Sequence, residues 1–231
     1  MRTIGMLGGM SWESTAEYYR LANVLVRERL GGVHSARLLV DSVDFADVEA
    51  LQAGDRWDEA GALLAGRARA LEAGGADLLV LCTNTMHKVA PAIEEQVAIP
   101  LVHIADATAA AVRAAGLERV GLLGTAFTME QAFYRDRLAS HGIEVIVPEA
   151  ADRALVHRVI YDELVRGAIL DASRSAYLDV VARLADRGAQ GVVLGCTEIE
   201  LLIGPADSPI PSFPTTRIHV EAAVALAFAG S

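Results

Sequence analysis

Short apolar runs alternate along this chain with longer segments of helical period. Runs at residues 3–7, 36–41, 77–81, 100–104, 119–123, 143–147 and 192–194 are rich in Val, Ile and Leu and read as strands. Segments 15–29, 59–72, 86–97, 105–115, 129–140, 151–164, 173–187 and 216–229 read as helices, many stopped by glycine, as at Gly31-Gly32, Gly74-Gly75 and Gly142. Ser11 and Ser14 are placed to cap the first helix. Residues 42–58 are polar and read as a short helix and loop. Pro205, Pro209, Pro211 and Pro214 mark an irregular crossing. Strand and helix in alternation imply an α/β fold, with parallel sheets flanked by helices.

The pattern repeats. Ile4-Gly5-Met6-Leu7-Gly8 matches Val120-Gly121-Leu122-Leu123-Gly124, and Leu79-Val80-Leu81 matches Val192-Val193-Leu194. Aligning the apolar runs sets Cys82 against Gly195 and Thr83 against Cys196. Two similar α/β lobes, related by a pseudo-two-fold, are therefore expected, with a small-molecule site in the cleft between them. Side chains alternate along a strand, so Cys82 should point away from the side that Thr83 faces.

Composition narrows the partners. The 231 residues carry a net charge of −10, which disfavours nucleic acid and anionic membranes. No apolar run reaches the roughly 20 residues of a membrane span. No secretory leader is expected, and two cysteines far apart in sequence suggest free thiols in a reducing, cytoplasmic setting. Neither a metal site nor a nucleotide cofactor is expected. The Gly8-Gly9-Met10-Ser11 turn is neither GxGxxG nor a P-loop.

Candidate chemistry concentrates in Gly191–Glu200, GVVLGCTEIE. A buried strand ends in a thiol, a hydroxyl and a carboxylate: Cys196, Thr197 and Glu198. Cys196 reads either as a small buried hydrophobe or as a thiol held as thiolate at a helix N-terminus. Thr83 reads as a helix cap, an acid/base group, or both. Two proton-transfer groups on opposite faces of a small substrate suit inversion at a carbon next to a carboxylate. That chemistry also needs donors for the developing enolate. Gly8 to Ser11, Asn84, Thr85, Thr125 and Thr197 supply small polar donors at strand ends.

IGMLGGMSWEST (4–15), TNTMH (83–87), LGCTEIELL (194–202) and TTRIH (215–219) together resemble the aspartate/glutamate racemase family across essentially the whole chain. Glu198 in GCTE makes the chain more similar to aspartate and broad-specificity (L-Asp/L-Glu-type) amino-acid racemases than to glutamate racemase proper. The resemblance implies lobes at 1–103 and 104–213, with a last helix, 214–231, returning to the first, and a homodimer. It implies an isomerase that needs no cofactor, acting on a small amino acid, with Cys196 as the L-face base and Thr83 on the opposite face. Met10, Gln52 (in a position like the family's substrate-contacting loop), Asn84, Thr85, Thr125, Thr197 and Glu198 would bind substrate. Arg56 and Arg166 read either as solvated surface charges or as candidates for a substrate carboxylate. Two departures stand out: Thr83 replaces the usual first-lobe cysteine, and Pro214 replaces the acid of a DTT motif. An arylmalonate-type decarboxylase, or a non-catalytic binding relative, are the competing readings.

Overall fold

A computed structural model describes residues 1–204 and 206–229. Pro205 and the last two residues of the expected 214–231 helix lie outside that set. The chain divides into two compact units: Met1–Ile104 with the described part of His219–Ser231, and Ala105–Ile218.

The first unit runs β1 (Ile4–Gly8), α1 (Trp12–Leu30), β2 (Leu38–Ser42), α2 (Phe45–Ala53), α3 (Trp57–Ala73), β3 (Leu78–Leu81), a 3-10 turn (Thr85–Val89), α4 (Ala90–Glu94) and β4 (Leu101–Val102). The second runs α5 (Ile104–Ala114, its first residue still in the first unit), β5 (Arg119–Gly124), α6 (Ala126–Glu130), α7 (Ala132–Ser140), β6 (Glu144–Ile146), α8 (Ala150–Asp162), a 3-10 turn (Leu164–Arg166), α9 (Asp171–Asp186), β7 (Gly191–Gly195), α10 (Ile199–Leu202) and β8 (Ser212–Pro214). Helix α11 (Thr215–Phe228) follows.

The two sheets share one topology, β2-β1-β3-β4 and β6-β5-β7-β8, with every strand pairing among the described residues parallel. Register turns the sequence repeat into geometry. Leu7 pairs with Leu81, and Leu123 pairs with Leu194. Cys82 is thus the counterpart of Gly195, and Thr83 of Cys196.

Alternation along β3 is visible in the packing. Leu78, Val80 and Cys82 join a core with Tyr18 and Val26 of α1 and Val220, Val224 and Ala227 of α11, whereas Leu79 and Leu81 join the core under α3. In the second unit Val192 and Leu194 pack with Val156 and Ile160 of α8 and Tyr177 and Val181 of α9. Each such fully buried side chain contributes roughly 1.5–3 kcal/mol. Val220, Ala223, Val224 and Ala227 give α11 the apolar stripe that seats it in the first unit's core.

Three expected elements differ. The single helix 86–97 is a 3-10 turn followed by a short α4, with Pro91 in its first turn; a ring without N–H is tolerated there but not deeper. Helix 129–140 is two helices, interrupted at Gln131, whose backbone is extended (φ −81°, ψ 151°). The proline-rich crossing contains β8, at the edge of its sheet, where Pro214 costs no ladder hydrogen bond. No described helix is long and apolar enough to cross a membrane.

Candidate functional site

In open α/β sheets, ligands meet the carboxyl ends of the strands. In the first unit those ends are Gly8 to Ser11 and Cys82 to Thr85. Ser11 caps α1 by accepting from the Ser14 N–H (3.2 Å), while Ser14 Oγ donates to the Cys82 carbonyl (3.0 Å). The expected pair of caps is therefore one cap, and Ser14 instead ties α1 to the end of β3. Gly9 has φ +92°, and a Cβ there would lie 2.1 Å from the Val43 carbonyl oxygen, so the close approach is backbone to backbone. The Gly9 N–H donates to Thr15 Oγ1 (2.8 Å), which removes it from the expected ligand donors.

Thr83 is half-buried, beside the buried Asn84 and Thr85. His87 Nδ1 donates to the Thr83 carbonyl (2.7 Å), and the Ile104 N–H donates to His87 Nε2 (3.2 Å). Both ring nitrogens are thereby assigned, and the imidazole is neutral. Burial, then the neighbouring His103 and His219 rings, lower its pKa well below the usual histidine value. Gln52 lies in the last turn of helix α2, not in a loop, and is buried, its amide donating to Met86 Sδ (2.9 Å). Met10 is buried in the core cluster with Leu7, Val48 and Met86. Arg56 is exposed and held by Glu59 (2.6 and 2.5 Å).

In the second unit Gly124 pairs with Gly195, so Thr125 and Cys196 leave neighbouring strand ends. Thr125 caps α6, accepting from the Thr128 N–H (3.3 Å). The next N–H, that of Ala126, donates to His157 Nδ1 (3.2 Å). Burial lowers the His157 pKa. Thr197 and Glu198 are buried. The Cys196 thiol donates to Glu198 Oε2 (3.0 Å).

Cys196 departs from one of its two sequence readings. A thiolate held at a helix N-terminus would have a lowered pKa; instead it is raised well above the usual thiol value. Burial is the largest cause, followed by the charge of Glu198 and the hydrogen bond to it. Helix α10 has four residues, too short a dipole to oppose a carboxylate at hydrogen-bond distance. Cys82 is different again: wholly buried, with burial alone pushing its thiol up.

The Pro214 departure is compensated. Glu200 Oε1 accepts from the Thr216 N–H (3.0 Å) at the start of α11, and Thr215 Oγ1 donates to the Leu194 carbonyl (2.8 Å). Arg166 is exposed and forms no ion pair among the described residues. His87, read from sequence as a helix or core residue, and His157 are the groups whose contacts with the strand-end turns the sequence did not reveal. The four-residue step from Thr83 to His87 was the available signal for the first; nothing local marks the second.

Comparison with known proteins agrees with this arrangement. A Yersinia pestis protein provisionally called an Asp/Glu racemase has a solved structure similar to this one, with 51% identity and a TM-score of 0.93 over 98% of this chain and 99% of that one. An aspartate racemase homologue from Pyrococcus horikoshii is 32% identical, with a TM-score of 0.87 over 98% of this chain and 99% of that one. Among curated proteins, a glutamate racemase from Actinobacillus pleuropneumoniae is 28% identical over 128 residues, 54% of this chain and 47% of that protein. The match to this last relative therefore spans about half its length. The family described as Asp/Glu/Hydantoin racemase matches residues 7–223, and this chain belongs to it.

Proposed function

We propose that the protein is a cofactor-independent amino-acid racemase that inverts the α-carbon of an L-amino acid, aspartate, glutamate or a wider set. The observation that carries this reading is the equivalence of Thr83 and Cys196 after matching strands, with the Cys196 thiol donating to Glu198. Cys196 works on the L-face. Its thiol passes a proton to the Glu198 carboxylate, and the resulting thiolate takes the α-proton. Charge accumulates on the substrate carboxylate and calls for N–H and O–H donors, the role we assign to Asn84, Thr85, Thr125 and Thr197. Thr83 returns a proton from the opposite face.

An alcohol is a reluctant base, so the half-reaction that begins from the D-isomer is slow. Racemisation has an equilibrium constant of one, so both directions share one kcat/KM and neither can be fast alone. The enzyme should exchange the α-proton of its L-substrate with solvent faster than it inverts it. Incubation with single L-amino acids in D₂O, following deuterium uptake by NMR and D-isomer by chiral chromatography, tests this. L-exchange outrunning inversion supports the reading. Rapid loss of the α-proton from the D-isomer, or no exchange with any amino acid, rejects it.

A further inference from the structure

Three buried histidines lie together in the first unit, outside the proton-transfer pair. The His87 and His103 ring centroids are 4.6 Å apart, and those of His87 and His219 are 5.6 Å apart. Their positions in the chain are not arbitrary. The chain leaves this unit after Ile104 and returns to it at His219. His103 directly precedes the exit, His219 is the return, and His87 belongs to the turn that carries Thr83.

The hydrogen bonds follow the same plan. His87 Nε2 accepts from the Ile104 N–H at the exit, and its Nδ1 donates to the Thr83 carbonyl. His219 Nε2 donates to the Val102 carbonyl (2.6 Å), and its Nδ1 accepts from the Tyr18 hydroxyl (2.8 Å). The ring nitrogens of His87 and His219 are thus fully used by protein partners, which leaves them no lone pair for a metal. A neutral imidazole with one donor and one acceptor is the side chain that can bridge a carbonyl and an N–H in this way.

We propose that His87 is a positioning residue that couples the Thr83 main chain to the exit of the chain from the first unit. Resting on the racemase reading, this ties the Thr83 face to the point where the chain leaves the first unit. The chain passes between the units at residues 104–105 and 218–219. His87 conveys the position of the first crossing to Thr83 through one rigid ring, while His219 pins the second crossing to β4 and α1. A misplacement of the order of 1 Å at a reacting group is enough to cost about a hundredfold in rate.

The two ends of the ring can be separated. In His87→Asn the amide NH₂ can reproduce the Nδ1 donor to Thr83, but the shorter side chain does not extend to Ile104. In His87→Gln the longer amide can present an acceptor to Ile104, but the donor to Thr83 is lost. With L-aspartate and L-glutamate in D₂O, His87→Gln should lower the ratio of inversion to L-exchange about tenfold, and His87→Asn should restore it to within about threefold of the original protein. Amide hydrogen exchange should show the reverse, with the Ile104 N–H losing protection in His87→Asn and keeping it in His87→Gln.

Imidazole ¹⁵N NMR of the unmodified protein gives a test independent of catalysis and of whether either variant folds. His87 should be neutral and Nδ1-protonated at pH 7. An Nε2-protonated or charged His87, or equal effects of both variants on the ratio, overturns the proposal. If the unmodified protein exchanges no amino acid, the racemase reading fails, and the tautomer with the Ile104 protection decides the His87 bridge by itself.

Discussion

The two units are built on one topology, yet their strand-end turns solve the same problem with different chemistry. In the second unit a thiol donates to a carboxylate two residues along the chain, so Cys196 and Glu198 form a local pair. In the first unit the equivalent position is an alcohol, Thr83, and its carbonyl is tied to a histidine network that reaches β4, α1 and α11. One side commands a removable proton nearby; the other commands position. A shared backbone thus fixes where a group stands, while its immediate neighbours decide whether that group is acid, base or scaffold.

Removing the sulfur breaks the comparison most strongly. Cys196→Ser should lower α-proton exchange from the L-isomer by about a thousandfold, read by NMR in D₂O, since a positioned acid/base group is worth about 10² to 10⁴ in rate. The next largest effect concerns stability. The His219 pKa is lowered to about 4, chiefly by burial, from an unfolded value near 6.5. The unfolded chain therefore binds the extra proton first as pH falls. The contribution of this group is fully present above about pH 6.5 and is lost as pH drops through about 4, a change of about 3 kcal/mol. Melting temperature measured from pH 7 to 4 should fall, and His219→Gln should flatten that dependence. A variant as steep as the original protein would remove His219 from the account.

Making the two units alike sharpens the comparison. Thr83→Cys should raise racemisation at least about tenfold and bring the ratio of inversion to L-exchange towards one, as chiral chromatography and NMR can follow together. The smallest change separates reactivity from catalysis. Glu198→Gln removes the charge, one cause of the raised Cys196 pKa, while its amide oxygen can still accept from the thiol. Alkylation of Cys196 by iodoacetamide should therefore quicken at a given pH, while L-exchange slows about tenfold for want of a proton acceptor. If both rates rise, Glu198 is only a repulsive neighbour.

Much of this was legible in the sequence because it rests on local rules. Buried parallel strands need apolar runs, runs of period two fix which way each side chain points, and matching runs ending in small residues reveal the repeat. Those rules were enough to put Thr83 opposite Cys196 in the alignment and to turn Cys82 into the α1 and α11 core. What escaped depends on neighbours distant in sequence. Gln52 lies in a stretch read as a short helix and loop; in α2 its amide meets Met86 thirty-four residues later. Glu200 caps α11 from sixteen residues upstream, so the loss of an acid at Pro214 gave no hint of a replacement.

The sequence by itself determined the order of strands and helices, the doubled pattern and the residues at the strand ends, because each follows from spacing within a few residues. Only the tertiary structure decided the electrostatic state of those residues. Burial and the charges brought beside a group set its proton affinity, and neither is a property of a short stretch. The same GCTE run would suit a free thiolate at a long helix; half-buried beside Glu198, the thiol holds its proton until something displaces it.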